Sequence, residues 1–255
     1  MRAWLWMVLG LSSWQTNACE FHFAFNDEPS LPYMLGGGAK PQAEMPGIAV
    51  ELVDAAAKAT GCQVHFSRLP TKRVLLETVS GRVDGSFMYS WNAERDKQLV
   101  YPKAGKHPDP ARRIASFTYV AYRKKGSQAN WDGQRFTGLN QAAIGINLGW
   151  SIAKDLAAQH LPIEEAPTVQ INLNKLLKGR IALYITQREP GDEAIHHLGI
   201  TGIERLPIPV AEKYYYLVFN RQFYAQHRDW VEQFWAALAD RRDALTELLR
   251  RKYQD

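Results

Sequence analysis

The sequence lacks a hydrophobic run long enough to cross a membrane. The apolar stretch at residues 3–11 falls well short of the roughly 20 residues that a transmembrane helix needs. It follows Arg2 and precedes small and polar residues that end at Ala18. A basic start, a short apolar core and a small residue at the cleavage site are typical of a secretion signal. We therefore expect residues 1–18 to be a signal peptide that is cleaved on export to the periplasm. A buried first helix is the alternative, and the polar residues around Trp14 fit it poorly.

Motifs of phosphate-binding, metal and hydrolytic sites are also missing. The glycine-rich segment 36–40 has neither the spacing nor the Ser or Thr of a phosphate-binding loop. His196 and His197 are adjacent, whereas paired zinc ligands on one helix face are four residues apart. No Gly-x-Ser-x-Gly sequence marks a nucleophilic serine. We therefore predict a non-enzymatic protein with no catalytic residues, no cofactor and no metal site.

The sequence has no concentrated charge of one sign. The net charge is +5, and the densest basic groups, at residues 241–242 and 250–252, are interleaved with acidic residues. A nucleic-acid interface needs a basic patch, and an exported chain has no nucleic acid to meet. We therefore expect no nucleic-acid partner and assign these basic residues to a solvated helix face.

Cysteine is scarce, and both cysteines precede strand-like segments. Cys19 precedes residues 21–25, and Cys62 precedes residues 63–66. If these two strands are parallel neighbours, their first residues lie close together. An even cysteine count in an oxidising compartment then favours a Cys19–Cys62 disulfide. Lipid attachment at Cys19 is the alternative, but segment 16–18 lacks the apolar residue expected three positions before a lipidated cysteine.

What the chain does contain is a regular alternation of strand and helix patterns. The first run predicts strands at 21–26, 63–67 and 83–89 and helices at 48–60 and 71–80. The second run predicts strands at 116–122, 143–146, 181–186, 203–206 and 214–219, and helices from Ser151 and at 172–178, 225–239 and 241–253. Such alternation predicts parallel sheets covered by helices. The similar layout of the two runs suggests two similar lobes.

Several motifs, in a fixed order, resemble a known family. They are Gly81-Arg82-Val83-Asp84-Gly85, Asn92-Ala93-Glu94-Arg95 and Val100-Tyr101-Pro102, with supporting matches at 31–33, 47–52 and 144–151. Together they are similar to the signature of the family 3 extracellular solute-binding proteins. That family includes the periplasmic receptors for glutamine, histidine and other amino acids. The resemblance covers nearly the whole chain after residue 18.

The resemblance implies an α/β fold of the type II periplasmic-binding-protein class. In that fold two α/β lobes are joined by two crossing strands, and a ligand is held between the lobes. By matching positions, the crossings fall at 112–117 and 211–215. We therefore expect the first lobe at residues 19–113 plus 214–255 and the second lobe at residues 114–213. A hinged pair of lobes is a common geometry for ligand-driven closure.

Arg95 is the first candidate for ligand binding. It follows Asn92, which suits the N-cap of a short helix, and a guanidinium there can hold a carboxylate with two hydrogen bonds. The resemblance implies that this arginine binds the α-carboxylate of the ligand. Without the resemblance, the sequence favours a surface position for Arg95, paired with Glu94 or Asp96.

Four further residues are expected around the same carboxylate. The resemblance implies a hydroxyl contact from Ser90, and contacts from the turn Gly149-Trp150-Ser151 of the second lobe through its backbone N–H groups and a hydroxyl. Two helix N-termini facing one anion would then favour closure. Ser90 also suits a plain turn, and the Trp150 ring either narrows the cleft, stacks on the ligand or packs in the core.

Two positions depart from the amino-acid receptors of that family. Gln187 occupies the position where those receptors have an aspartate for the ligand's ammonium, and a neutral amide cannot offset a buried positive charge. Arg73 lies in a segment that replaces an aromatic platform. These departures favour an anionic ligand without a free amine. Asp27 and Glu28 could still receive an amine, and both interpretations stay open.

Three aromatic residues complete the set of candidates. Tyr33, Tyr89 and Trp91 are placed by sequence position to form walls for apolar parts of a ligand. Each of them also suits a position in the hydrophobic core.

The sequence thus predicts a monomeric periplasmic protein that captures a small polar, carboxylate-bearing ligand, either an amino acid or a related organic acid. An ABC permease or a sensor is the expected protein partner, in transport or sensing. The alternative is a periplasmic enzyme on the same fold that resembles cyclohexadienyl dehydratases. Such an enzyme would use Arg95 for the carboxylate and Glu28 or Glu94 as the acid.

Overall fold

The computed structural model describes residues 19–39 and 41–253, so the predicted signal peptide lies outside the described residues. The strands are β1 (Glu20–Asn26), β2 (Gln63–Leu69), β3 (Gly85–Ser90), β4 (Leu99–Val100), β5 (Lys103–Ala104), β6 (His107–Pro108), β7 (Ala115–Lys124), β8 (Asn130–Trp131), β9 (Phe136–Thr137), β10 (Ala143–Asn147), β11 (Ile163–Ala166), β12 (Ile181–Gln187), β13 (Ile203–Arg205) and β14 (Ala211–Asn220). The helices are α1 (Ile48–Thr60), α2 (Thr71–Val79), α3 (Ala93–Gln98), α4 (Ile152–Ala157), α5 (Val169–Leu177), α6 (Arg188–His197), α7 (Arg221–Gln226) and α8 (Arg228–Lys252).

One sheet runs through the molecule in the order β11-β10-β12-β7-β14-β3-β1-β2. In the first lobe, β1 is parallel to β2 and β3, and α1, α2 and α8 complete the layers. In the second lobe, β10 is parallel to β11 and β12, with α4, α5 and α6 around them. Between the lobes lie two long strands, β7 and β14. This is the two-lobed α/β arrangement that the sequence predicts.

The strands β7 and β14 join the lobes by pairing with each other. They run antiparallel, with Ala115 opposite Tyr215 and Tyr119 opposite Ala211. Each is also antiparallel to the lobe strand on its outer side, β12 for β7 and β3 for β14. The predicted crossing 211–215 lies within this pairing, and the predicted crossing 112–117 overlaps its start.

The predicted disulfide is present at the outer edge of the first lobe. Cys19 and Cys62 are bonded, with their Cα atoms 4.6 Å apart. They directly precede Glu20 and Gln63, which are the first paired residues of the parallel strands β1 and β2. The sequence argument from neighbouring strand starts is therefore confirmed.

The first lobe has an aromatic core beneath its sheet. Phe21, Phe23, Phe219 and Phe234 are fully buried, and their ring centroids lie 5.0–5.7 Å apart in tilted, edge-on or stacked contacts. Such contacts add to the stabilisation from burying the rings. Because Phe234 belongs to α8 and the others to strands, this core fixes the C-terminal helix on the first lobe.

The C-terminal helices differ from the prediction. Instead of helices at 225–239 and 241–253, the chain forms the short α7 and then one continuous α8 from Arg228 to Lys252. The break falls at His227, and no glycine or proline interrupts the chain near Asp240. Helix formers on both sides of residue 240 therefore continue the same helix. Among the described residues, no helix combines the length and apolar character that a membrane span needs.

Two helices of the second lobe also differ from the prediction. α5 begins at Val169 rather than at 172, because the Thr168 side chain accepts the N–H of Ile171 and caps the helix earlier. α6 was not predicted, since its sequence contains Pro190 and Gly191. A proline in the first helical turn is tolerated because the N–H groups there have no intrahelical partner.

Candidate functional site

A cavity of about 610 Å³ lies between the two lobes. Its walls come from the loop after β1, the start of α2, the end of β3, the turn after β10, the start of α5 and the whole of α6. Most of these segments follow the carboxyl ends of parallel strands, which is where α/β sheets commonly bind ligands.

The cavity has a buried end and an open end. We call Ser90, Arg95, Ser151, Gln187 and Tyr215 the buried end, since all but Arg95, which is half-buried, are at most 7% exposed. The open end includes the exposed lining residues Glu28, Leu31, Glu193, His197 and Leu198.

Arg95 connects the two lobes at the buried end. Its Nη1 donates to the carbonyl oxygen of Ser90 at 3.0 Å and to the Ser90 hydroxyl at 3.3 Å. Its Nη2 donates to the carbonyl oxygen of Gly149, in the second lobe, at 3.1 Å. The guanidinium carbon also lies 5.0 Å from the centre of the Tyr89 ring. The Asn92 side chain accepts the N–H of Arg95, as the predicted N-cap requires.

The acidic neighbours of Arg95 have other partners. Glu94 pairs with Lys154 of the second lobe, and Asp96 pairs with Lys103 at 2.8 Å. The alternative in which Arg95 is a surface residue paired with Glu94 or Asp96 is therefore not what the structure shows. Of the two acids nominated for an enzyme, Glu28 lines the open end and Glu94 is not part of the cavity wall.

Two serine hydroxyls meet across the cleft beside Arg95. The Oγ atoms of Ser90 and Ser151 are 2.6 Å apart, so each lobe contributes one hydroxyl to the same point. Lys213 Nζ donates to Ser151 Oγ at 3.0 Å and forms an ion pair with Asp155. Lys213 was missed by the sequence reasoning. Lys213 lies two residues before Tyr215 on the predicted crossing strand, and this position between the lobes could have identified it as a candidate.

The turn after β10 contributes differently from the expectation. The Gly149 carbonyl faces Arg95, while the Gly149 N–H donates to Glu165 Oε2 at 3.3 Å. The Ser151 side chain does not cap α4, and α3 and α4 are six residues each. The predicted contact of two helix N-termini with one anion stays a prediction. The second lobe instead offers a hydroxyl and a carbonyl.

Gln187 belongs to a neutral hydrogen-bonded group. Its Nε2 donates to the Tyr215 hydroxyl at 2.9 Å, and that hydroxyl is bonded to the Tyr119 hydroxyl. All three residues are buried. Burial raises the pKa of the Tyr215 and Tyr119 phenols above the ordinary value for tyrosine, so both stay protonated near neutral pH. This group contains polar atoms and no charge.

Two further predicted residues line the cavity as aromatic walls. Tyr89 lies beneath the Arg95 guanidinium and is 8% exposed. Trp150 is half-buried and packs edge-on against Tyr119, with ring centroids 6.0 Å apart. Its ring therefore both packs against the core and faces the cavity.

Two predicted aromatic contacts lie away from the cavity. Tyr33 is buried against Phe117, with ring centroids 4.6 Å apart, and its hydroxyl accepts from Arg250 at 2.9 Å. Trp91 packs edge-on against His107 at 5.6 Å. Both therefore have the packing role that the sequence left open for them.

Two predicted polar contacts are also off the cavity wall. The Arg73 side chain is 66% exposed and pairs with Glu77 one helical turn later. Asp27 does not line the cavity either, although its neighbours Asn26 and Glu28 do. At the start of α2, Lys72 takes the lining position next to Arg73. Sequence spacing placed the loop after β1 and the start of α2 at the cavity correctly. It did not identify which residue of each segment lines the cavity.

Comparisons with known proteins identify the fold. No family model matches the sequence, and no curated protein matches it. Solved structures do match over almost the whole chain. One is a histidine kinase sensor domain with similarity to periplasmic binding proteins, 18% identical, with a TM-score of 0.71 over 93% of this chain and 96% of that chain.

Two further solved structures are ligand-binding proteins. The arginine-, lysine-, histidine-binding protein ArtJ from Geobacillus stearothermophilus is 16% identical, with a TM-score of 0.69 over 93% of this chain and 96% of that chain. The GluR0 ligand-binding core from Nostoc punctiforme, in complex with L-glutamate, is 13% identical, with a TM-score of 0.68 over 92% of this chain and 98% of that chain. Identities this low show the fold alone. The chain has the two-lobed α/β fold of periplasmic binding proteins, as the resemblance implied.

Proposed function

We propose that the protein is a periplasmic solute-binding protein that captures a small carboxylate-bearing ligand between its lobes. The ligand is an amino acid or a related organic acid, and the protein acts as a monomer. The observation that carries the proposal is the position of Arg95, which lines the interlobe cavity and donates to both lobes. A guanidinium in that position suits an anion that both lobes hold at once.

A carboxylate is the acceptor that best suits this guanidinium. In the structure, Arg95 donates only to neutral oxygens, those of Ser90 and Gly149. A carboxylate can accept two parallel hydrogen bonds from one guanidinium, and such charge-assisted bonds are about twice as strong as neutral ones. The ligand's carboxylate therefore takes the place of the Gly149 carbonyl as the acceptor for Nη2.

The hydroxyls of Ser90 and Ser151 provide the remaining contacts. They lie 2.6 Å apart, one from each lobe, and are bonded to each other. When a ligand's carboxylate replaces that mutual bond, each hydroxyl can donate to a carboxylate oxygen. A ligand that bonds to both lobes binds the closed form more tightly than the open form, and so shifts the population toward closure. We propose Ser90, Arg95, Gly149, Trp150, Ser151 and Gln187 as the ligand contacts.

We propose that the protein binds its ligand without chemistry and delivers it unchanged, to a membrane transporter or to a sensor. Next to Arg95, the described wall offers hydroxyls and an amide, which suit binding of a carboxylate. Glu28, which the enzyme alternative would use as the acid, lines the open end.

The proposal is tested with the purified chain and a panel of amino acids and organic acids. A true ligand at a tenfold excess over its dissociation constant stabilises the protein by about 1.4 kcal/mol, which raises the melting temperature measurably. The Arg95→Gln variant should lose this shift, and the Arg73→Gln variant should keep it because Arg73 lies off the cavity. Equal shifts in both variants, or conversion of a panel compound during incubation, would contradict the proposal.

A further inference from the structure

We propose, on the basis of the proposed function, that the ligand is a carboxylate with an extended apolar body and no free α-amine. Three features of the cavity lead to this inference: its size, the composition of its walls beyond Arg95, and the neutrality of the groups next to Arg95. The first two concern the body of the ligand, and the third concerns the amine.

The cavity is larger than a carboxylate and its neighbouring atoms need. Its volume of about 610 Å³ lies in the middle of the range of roughly 300–1,000 Å³ for sites that enclose drug-sized ligands. The carboxylate itself occupies only the buried end, between Arg95 and Ser151. The rest of the volume is available to the body of the ligand.

The walls beyond the buried end are mainly apolar and come from both lobes. They include Val74, Leu75 and Phe87 from the first lobe and Val169, Ala194 and Leu198 from the second. Leu198 is 41% exposed, and Leu31, at the same open end, is 49% exposed. Covering such side chains with an apolar group removes both surfaces from water, which favours binding roughly in proportion to the area covered.

The groups next to Arg95 offer nothing to balance an ammonium. An α-amine is attached to the carbon next to the carboxylate, so it must lie at the buried end. The neighbours there are the hydroxyls of Ser90, Ser151 and Tyr215 and the amide of Gln187, all of them neutral. Burying an ammonium without a negative partner carries a large free-energy cost.

The acidic residues of the described cavity wall belong to its open end. Glu28 and Glu193 are both exposed, whereas the polar side chains of Ser90, Ser151, Gln187 and Tyr215 are buried. Glu193 lies on α6, six residues after Gln187, which directly precedes that helix. Glu165 accepts the N–H of Gly149 and is not part of the wall. Asp155 is not part of the wall, and it is paired with Lys213. An α-amine would therefore be buried without compensation.

The test is a matched pair of ligands that differ only in the amine. Isothermal titration of the unmodified protein with 3-phenylpropionate and with L-phenylalanine measures the cost of the α-ammonium directly. We expect 3-phenylpropionate to bind at least about tenfold more tightly. In a second series, butyrate, hexanoate and octanoate should gain affinity by roughly fourfold for each added methylene group, because each methylene is buried against the apolar walls.

A single substitution should reduce or remove the preference for the ligand without an amine. Gln187→Glu adds a carboxylate of the same shape at the buried end, so the ratio of the two dissociation constants should move toward L-phenylalanine by about tenfold or more. Gln159→Glu makes the same chemical change at an exposed position outside the cavity and should leave the ratio unchanged. The melting temperature of each variant without ligand shows that it is folded, and the comparison in the unmodified protein needs no variant.

Each outcome decides one of the two claims. If L-phenylalanine or L-glutamine binds more tightly than 3-phenylpropionate, and this binding is lost in the Arg95→Gln variant, the inference is overturned and the proposed function remains intact. An affinity that does not change from butyrate to octanoate would overturn the inference that the ligand has an extended apolar body. If no carboxylate in either series binds, the proposed function fails and the inference fails with it.

Discussion

The two lobes contribute different chemistry to one cavity. At the buried end, the first lobe supplies the charged Arg95, while the second supplies the Gly149 carbonyl, the Gln187 amide and the Ser151 hydroxyl, to which Lys213 donates. Under the proposed function, a ligand's carboxylate would be attracted first to Arg95 of one lobe, and the other lobe would add short-range hydrogen bonds when the cleft closes. Capture and closure would then depend on separate residues.

The two lobes also differ in how extensively their strands are paired and cross-linked. In the first lobe, β1 and β2 pair over seven residues from Glu20 to Asn26, and the Cys19–Cys62 disulfide joins their starts. In the second lobe, β10 and β11 pair over four residues, and no cysteine lies in that half of the sequence. The lobe that carries the charged group is thus the more strongly constrained one.

Removing the disulfide should have the largest effect on stability. The bond closes a loop with a sequence separation of 43 residues, and chain entropy predicts a loss of about 4 kcal/mol when a loop of that length is opened. The Cys19→Ser, Cys62→Ser double variant should therefore unfold at a much lower urea concentration. It should still bind ligand when folded, because the bond lies at the outer edge of the first lobe. Unchanged unfolding would show that the first lobe does not depend on its cross-link.

Keeping the charge of Arg95 without its planar fork should have the next largest effect. Arg95→Lys retains one positive charge but cannot form two parallel hydrogen bonds to a carboxylate. We expect ligand affinity to fall by about 2 kcal/mol, or roughly 30-fold. Titration calorimetry measures the change, with Arg73→Lys as the control. An affinity equal to that of the unmodified protein would mean that the positive charge at position 95 is sufficient for binding.

The paired hydroxyls should show a smaller and non-additive effect. Ser90→Ala and Ser151→Ala each remove one partner of the same contact across the cleft, at a cost of about 1 kcal/mol in ligand binding. Because the two hydroxyls break their mutual bond to bind the ligand, each single variant also avoids that cost, and the double variant should lose more than the sum of the two single losses. Strictly additive losses would mean that the lobes act independently at this point.

The exposed ion pair between the lobes should matter least. Glu94 and Lys154 join the first and second lobes, but their side chains are 67% and 56% exposed. Exposed pairs contribute less than about 1 kcal/mol and are screened by salt. Glu94→Gln should therefore change affinity only slightly, and the difference should vanish in high salt. A large, salt-independent loss of affinity would mean that contacts outside the cavity contribute to the free energy of closure.

Much of the fold could be predicted because its signals are local. The alternation of apolar residues in β1 and β2, and the Asn92 cap next to Arg95, depend on a few adjacent residues each. The start of α5 was predicted three residues too late, and α6 was not predicted, since Pro190-Gly191 is usually a break. Gly191 is accommodated because α6 packs tightly on β7: a Cβ there would lie 2.6 Å from the Tyr122 hydroxyl.

The contacts of the site were less predictable. Placing Lys213 beside Ser151, or the Gly149 carbonyl opposite Arg95, requires knowing how a crossing strand and a turn from another lobe come together. No short stretch of sequence contains that information. The same reason explains why Tyr33 and Trp91 were nominated as contacts and lie instead against Phe117 and His107.

The sequence by itself determined the alternation of the main strands and helices, the cysteine pairing and the arginine near the start of α3, because each depends on residues close together in the chain or on adjacent strand starts. Only the tertiary structure decided that Gln187, Tyr215 and Tyr119 form one neutral group, and that apolar side chains from both lobes enclose the rest of the cavity. Side-chain environment arises from contacts between residues distant in sequence, and it is this environment that sets which ligand chemistry the cleft accepts.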